Sequence, residues 1–418
     1  MDLALLLAIH LVVTTADATV PAMPMTPASP LTDSCATGME SRAAVVCLNR
    51  HALDLERQGD FAAASKALEE AERLWSSNPA PPDALHATIL SNLGEAYEQL
   101  GRWRDAANCF RGALEVDEKA VGKDDVHTAY AMVRLASIEM MMGSMAKAEE
   151  LLSMALPIER QGLPASAVEF SGGLSFAAML ELQKGGVAEA EKLAREGVDV
   201  MALRNMDTVE YAASLTTLAG VYIVEHDSVR ATPLLNRAID ILERSLGPDH
   251  PRLGPVLMNR AMIYQGEGKS ALAEADAARV VAIVSRQSGA ESIGTAWAQV
   301  RLSAIYLDEE KVQEAEGILP AAVERERGFY DHPNWRIAAS LGELARLRAA
   351  QLRIDEAENI YRESLAMFDA VAPNNPEAAR TMRGYADLLR ADGGSKKEIH
   401  RLMAKAKSIL STSDAVSR

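Results

Sequence analysis

Aromatic residues are scarce: six Phe, four Trp and nine Tyr in 418 residues. An interior built from this chain is therefore mainly aliphatic. Cysteine is scarcer still. Three residues cannot supply a four-thiolate zinc site or a disulfide-dense scaffold. Basic residues fall short of acidic ones, 43 against 59, for a net charge of −16. Such a balance lacks the basic footprint that nucleic-acid binding requires. Long apolar runs are missing, because Leu3–Val13 is far short of the roughly 20 residues that cross a bilayer. The local signatures of nucleophile elbows, zinc proteases and dinucleotide-binding turns are also absent. What remains is ordinary for a globular chain, with 48% hydrophobic and 24% charged residues. These features lead us to expect no catalysis, no cofactor, no metal, no nucleic-acid partner and no stable membrane span.

The first residues stand apart. Leu3–Val13 has the length of a signal-peptide core, and Ala16-Asp17-Ala18 resembles a small-residue cleavage site. The expected consequence is a leader over 1–18 and export to a periplasmic or extracellular compartment. An apolar helix packed on the first repeat, a different start codon and a cytoplasmic protein are the alternatives. Pro21, Pro24, Pro27 and Pro30 recur every third residue, which places them on one face of a polyproline II segment. We read 19–44 as a spacer and lead-in, with a proline-motif ligand or a segment folded back into the molecule as alternatives. Cys35 and Cys47 close a short loop into the first helix. In an oxidising compartment a bridge there would stabilise by about 3 kcal/mol. Cys109 is left over as a buried thiol.

The rest of the chain repeats with a step of about 42 residues. Counting Leu93 as position 7 of a repeat, position 15 falls at Gly59, Gly101, Gly143, Gly185, His226, Gly268, Glu310, Leu352 and Gly393. Position 20 is Ala64, Ala106, Ala148, Ala190, Ala231, Ala273, Ala315 and Ala357, and then Glu398. Position 8 is small throughout, from Ala52 and Gly94 to Ala386. Small residues at a fixed phase mark places where helix backbones approach most closely. Glycine at position 15 marks a turn with positive φ. No stretch alternates with period two. The expectation is an all-α solenoid of about nine helix-turn-helix repeats over 45–411, followed by a tail over 412–418.

The segment LSNLGEAYEQLGRWRDAANCFRGAL, from Leu90, resembles the tetratricopeptide repeat at Leu93-Gly94, Tyr97, Gly101, Ala106, Phe110 and Ala113. This implies a right-handed superhelix. The usual repeat is 34 residues. The longer step here, with loops such as LGPDHPRLGPVL, resembles the repeats of the kinesin light chain family. That family carries a long coiled coil ahead of its repeats, and this sequence has none there, so a motor subunit is not implied.

Several local patterns read as structure. Gly266–Ser270 ends like a phosphate-binding loop but lacks the first glycine and falls at a repeat turn. The methionines around Met140 are gap filler or adaptable contact surface. His250 and His332 precede prolines and serve turns. Repeat 4 is rich in glycine, as a joint or as drift. The last helix, SKKEIHRLMAKAKSIL, caps the stack, with contact to a membrane surface as the minor alternative.

Function is expected on the concave face. The A-helix stripe brings position 6 there: Arg50, Asn92, Arg134, Asn259 and Arg301 among others, with Asn49 one residue earlier. The family resemblance implies that Asn92 and Asn259, and less directly Asn49, hydrogen-bond the backbone of an extended peptide. An amide suits this, since it both donates and accepts. Arg50, Arg134 and Arg301 either receive ligand carboxylates or pair with the chain's own acids, such as Glu95 or Glu56. The expected function is protein–protein interaction, with a peptide or partner tail held in the groove. A structural scaffold using edges and convex face, and an accessory or sensor subunit of an enzyme system, are the alternatives.

Overall fold

A computed structural model of the chain describes residues 41–77, 83–142, 144–163, 167–202, 207–329, 333–373 and 375–415. The apolar N-terminal run, the candidate cleavage site, the proline segment, Cys35, Gly143 and His332 lie outside them. The described residues form eighteen helices and no strand. They are α1 (Ser41–Arg57), α2 (Phe61–Ser77), α3 (Ala84–Gln99), α4 (Trp103–Ala120), α5 (Val126–Met141), α6 (Met145–Gln161), α7 (Ala167–Lys184), α8 (Val187–Ala202) and α9 (Val209–Val224). They continue as α10 (Ser228–Leu246), α11 (Leu253–Gly266), α12 (Ser270–Ser288), α13 (Ile293–Asp308), α14 (Val312–Phe329), α15 (Trp335–Ala350), α16 (Ile354–Val371), α17 (Pro376–Ala391) and α18 (Lys396–Ala415). Odd-numbered helices are the A helices of nine antiparallel pairs, and even-numbered ones are the B helices.

Each repeat closes the same way. The N–H at position 16 reaches the carbonyl at position 11, as in Arg102 to Tyr97 (2.8 Å), Lys269 to Tyr264 (2.8 Å) and Arg353 to Arg348 (2.9 Å). This is the bond of a Schellman turn, and it needs a left-handed residue between. Position 15 supplies it in every described repeat, with φ from 58° to 84°. Five of these residues are glycine, but His226 (59°), Glu310 (58°) and Leu352 (61°) adopt the same backbone. The Gly266–Ser270 pattern is one such turn, with Gly268 at φ 71°.

The A helices start on side-chain caps that recur with the repeat. Asp83, Asp125, Thr208, Ser292, Asn334 and Asn375 each accept from a backbone N–H two or three residues on. Such caps satisfy donors that no helical carbonyl can reach. In repeat 6 the same phase holds His250, whose Nδ1 accepts from the Arg252 N–H at 3.2 Å. An imidazole thus replaces the carboxylate. Burial and the nearby Arg252 charge hold this ring down to a pKa of about 4, so Nδ1 stays an acceptor at neutral pH.

The small residues sit where expected. All eight position-20 alanines are fully buried. At Gly94 a Cβ would stand 2.9 Å from the Phe110 ring, so an aromatic filler at position 24 is matched by the smallest residue at position 8. Contacts between successive A helices outweigh those between successive B helices. This turns the A helices inward.

The superhelix also meets itself. A side chain at Gly101, in repeat 2, would touch Ile293 and Phe329 of repeat 7. The Arg336 guanidinium, in repeat 8, lies 5.3 Å from the Trp103 ring of repeat 2, 5.5 Å from Trp297 and 5.2 Å from Trp335. His250, ahead of repeat 6, interacts with the backbone of Glu56 and Arg57 at the end of α1. One turn therefore takes about five repeats, and its edge rests on the next. No helix among the described residues is long and apolar enough to cross a membrane.

Candidate functional site

Where the turns meet, the inner face encloses a cavity of about 290 Å³. The end of α1 supplies Glu56, α3 supplies Asn92 and Glu95, and α4 supplies Asp117. The starts of α5 and α7 add Tyr130 and Glu169, and the segment before α11 adds His250 and Arg252. Leu53, Val126, Val168, Val209 and Leu246 make much of the wall apolar, and acids outnumber the cations Arg57 and Arg252 among its charged side chains. Its volume lies at the small end of the roughly 300–1,000 Å³ typical of small-molecule sites.

Asn92, half-buried in this wall, donates from Nδ2 to Asn49 Oδ1 at 2.9 Å. The two asparagines of repeats 1 and 2 therefore act as one amide pair. Arg50, on the neighbouring turn of α1, is exposed. Arg134 lies just behind the wall, 2% exposed. It donates to Glu98, stands 3.5 Å from Glu95, and its guanidinium sits 5.2 Å from the Phe110 ring. Tyr130 donates to the same Glu95. Of the alternatives for Arg134, the structure shows pairing within the chain. Arg301 does likewise at 3.5 Å from Glu377 in repeat 9. Asn259 is wholly buried, and its amide makes no hydrogen bond among the described residues. The cavity therefore brings together Asn92 and, through it, Asn49, and, through Glu95, Arg134. Asn259 and Arg301 lie farther along the lumen.

Several wall residues were not singled out from sequence. Asp117 is 4% exposed and sits at position 31 of repeat 2, a core position held elsewhere by Trp75, Met201, Leu242, Phe368 and Ile409. Glu159 and Glu326 hold the same position in repeats 3 and 7. A carboxyl in an apolar phase was the available signal. Burial pushes these three acids up to about 6 (Asp117), 8 (Glu159) and 7 (Glu326). Burial, then the Glu95 charge, pushes Glu56 up to about 8. Burial also lifts Glu98 to about 7, despite the opposing charge of Arg134. Charged groups in low dielectric behave this way unless fully compensated. Arg252 sits amid Glu210, Glu95 and Glu56. Cys47 is half-buried in α1, and Cys109 is a free thiol that burial pushes up to about 12. No group of three or more His, Cys, Asp or Glu side chains among the described residues is arranged to hold a metal ion.

Comparison with known proteins follows this geometry. The tetratricopeptide repeat model matches residues 43–119, 85–161, 210–283 and 336–409, more than half of the chain. A kinesin light chain-related protein of Arabidopsis thaliana is 23% identical over 181 residues, 43% of this chain and 28% of the relative. This chain thus spans well under two thirds of that relative's length. Among solved structures, a Rap protein complexed with competence and sporulation factor aligns over 87% of this chain and all of its own, with TM-score 0.52 and 14% identity. A STAND-class signal transduction ATPase with a tetratricopeptide repeat sensor, from Pyrococcus horikoshii, aligns over 84% of this chain and 52% of its own, with TM-score 0.50 and 15% identity. These two likenesses concern the fold.

Proposed function

Because this chain belongs to the tetratricopeptide repeat family, with repeats like those of kinesin light chains, we propose that it is a non-catalytic interaction module that holds an extended peptide or partner tail along its inner face. The observation that carries this reading is the half-buried Asn49–Asn92 pair, whose Asn92 lines a cavity on the inner face. One amide hydrogen of Asn92 is used within the pair, which leaves further donor and acceptor capacity for a peptide unit. Arg50 stands exposed on α1 close by. The cavity takes an anchoring group of the partner, and the rest of the peptide runs along the A-helix stripe toward Arg301; Asn259, expected to meet the peptide, is wholly buried and out of its reach. The proposed Cys35–Cys47 bridge would tie the lead-in to α1 in an exported chain, and intact mass with and without thiol alkylation reads it directly.

The test is peptide selection. A displayed random-peptide library is panned against the wild-type chain and against Asn49→Ala/Asn92→Ala, with helicity checked by circular dichroism. Peptides enriched by the wild type should bind the variant at least about tenfold more weakly, the scale of one or two lost hydrogen bonds. Equal enrichment by both proteins, with helicity intact, would favour the scaffold reading.

A further inference from the structure

The charge inside the cavity does not balance. Glu56, Glu95, Asp117 and Glu169 line it, with Glu98 and Glu210 close behind; against them stand the buried Arg134 and Arg252 and, exposed at the rim, Arg57, which pairs with Asp54 at 2.8 Å. Arg134 is committed to Glu98 and Glu95, and Arg252 lies among Glu210, Glu95 and Glu56. Asp117 and Glu169 are left over. Asp117 is 4% exposed and has no hydrogen-bond or ion-pair partner among the described residues. The charged groups nearest to it are His127 and Asp125 at the start of α5. Glu169 buries one carboxylate oxygen with no partner, and so does Glu56.

Asp117 is placed against every local preference. It sits in the last turn of α4, where the helix dipole disfavours an anion. It occupies a phase that six of the other eight repeats fill with Trp, Met, Leu, Val, Phe or Ile, and that Glu159 and Glu326 hold in repeats 3 and 7, outside the cavity wall. A buried carboxyl without a partner is destabilising. A residue of this kind in a cavity wall is accounted for if the partner arrives from outside.

We propose that the cavity is a receptor for a single organic cation, an ammonium or guanidinium group carried by the bound peptide, with Asp117 and Glu169 as its acceptors. This rests on the peptide-binding reading above and adds the charge of the anchor. The volume, about 290 Å³, admits one long side chain or a chain terminus. A group with its own N–H donors suits separate carboxylates better than a metal ion, which needs converging ligands. Arg134 and Arg301 already pair with the chain's own acids, and the carboxyls of the cavity wall would repel an acidic anchor.

Three short peptides test this with the full chain at neutral pH: acetyl-Gly-Lys-Gly-amide, Gly-Gly-Gly-amide with a free amino terminus, and acetyl-Gly-Gln-Gly-amide. At least one cationic probe should bind about tenfold or more tightly than the neutral one. The stronger of the two shows whether a side chain or a terminus is the source. Asp117→Asn and Glu169→Gln should each weaken that probe about tenfold, while Glu149→Gln, on the exposed face of α6, should not. Calorimetric heats should vary with the buffer, because a bound cation draws protons off the chamber carboxyls. Equal binding of the neutral probe, no binding of any probe, or indifference to both Asp117→Asn and Glu169→Gln would overturn the proposal. Those outcomes leave the amide-pair reading to its own test, since the library peptides need carry no charge.

Discussion

The inner stripe carries buried acids at both ends of the molecule, and the two ends treat them differently. In repeats 7–9, Glu343 is 5% exposed and faces Arg346 at 2.6 Å and Arg380 at 3.3 Å. Burial pushes its carboxyl up, but Arg346, Arg380 and Arg301 more than offset this and hold it below the ordinary range. In repeats 1 and 2, Glu98 and Asp117 are as buried and Glu56 is half-buried, yet all three are lifted. One stripe thus serves as an ion-pair lattice at one end and as an under-compensated cavity at the other. Burial alone does not tell a structural acid from a binding one. The number of cations facing it does.

The largest expected effect comes from removing Arg134, the cation that pairs with both Glu95 and Glu98. Arg134→Met leaves Glu98 and Glu95 buried without it and should cost about 3–5 kcal/mol. Arg346→Met should cost less, about 1–2 kcal/mol, because Glu343 keeps Arg380 at 3.3 Å. Hydrogen exchange resolved by repeat measures both, which matters because a solenoid opens in segments. Equal losses in the two variants would erase the contrast.

A change of pH tests the contrast without a mutation. An acid raised on folding contributes stability that is present below its ordinary pKa and lost as pH rises through the folded value. For Glu56 (about 8), Glu98 (about 7), Asp117 (about 6) and Glu159 (about 8), that window runs from mildly acidic to mildly alkaline. Glu343, held low, contributes stability present above the ordinary value and lost as pH falls below it. Raising pH from about 5 to about 8 should therefore loosen repeats 1–3 by a few kcal/mol relative to repeats 7–9. Glu326 (about 7), in repeat 7, moves against this trend. Glu326→Gln should sharpen the difference, and uniform exchange at both pH values would remove it.

The two ends also touch, through Trp103 and Arg336. Trp103→Ala strips one of three aromatic rings from a guanidinium that is 4% exposed. It should cost about 1–2 kcal/mol, less than a fully buried tryptophan would. Exchange should rise together in repeats 2, 7 and 8, and the radius of gyration by small-angle scattering should increase. A loss confined to repeat 2 would mean that the ends are independent.

How much of this was legible is clearest residue by residue. The period, the small residues and the turns were readable because each repeat poses the same packing problem; Ala64 and Ala357 solve it identically. The A-helix caps follow the same period but change chemistry from Asp to Thr, Ser, Asn and His250, so composition hid what phase would have shown. The amide pair was visible as Asn49 and Asn92 separately, but not their mutual hydrogen bond, because the offset between adjacent helices is not written in either. The cavity was not legible. It depends on repeat 1 meeting the segment before repeat 6, a consequence of superhelical pitch that accumulates over five repeats. Asp117 was readable as an anomaly only once its phase was compared with Trp75 and Phe368.

The smallest effect separates the charge contrast from a backbone one. Two of the three non-glycine turns, Glu310 and Leu352, fall in the C-terminal half, which sets its ion pairs against backbone strain. Leu352 is 82% exposed at φ 61°, with no packing to lose. Left-handed backbone costs a non-glycine residue roughly 1–2 kcal/mol, and glycine returns part of this as extra freedom in the unfolded chain. Leu352→Gly should therefore stabilise repeats 8 and 9 by about 0.5–1 kcal/mol. Gly101→Ala, at φ 73° where a side chain would meet Ile293 and Phe329, should destabilise by about 1 kcal/mol or more. If Leu352→Gly is neutral, the turn is held by its Arg353 to Arg348 bond without strain, and the two halves differ in charge alone.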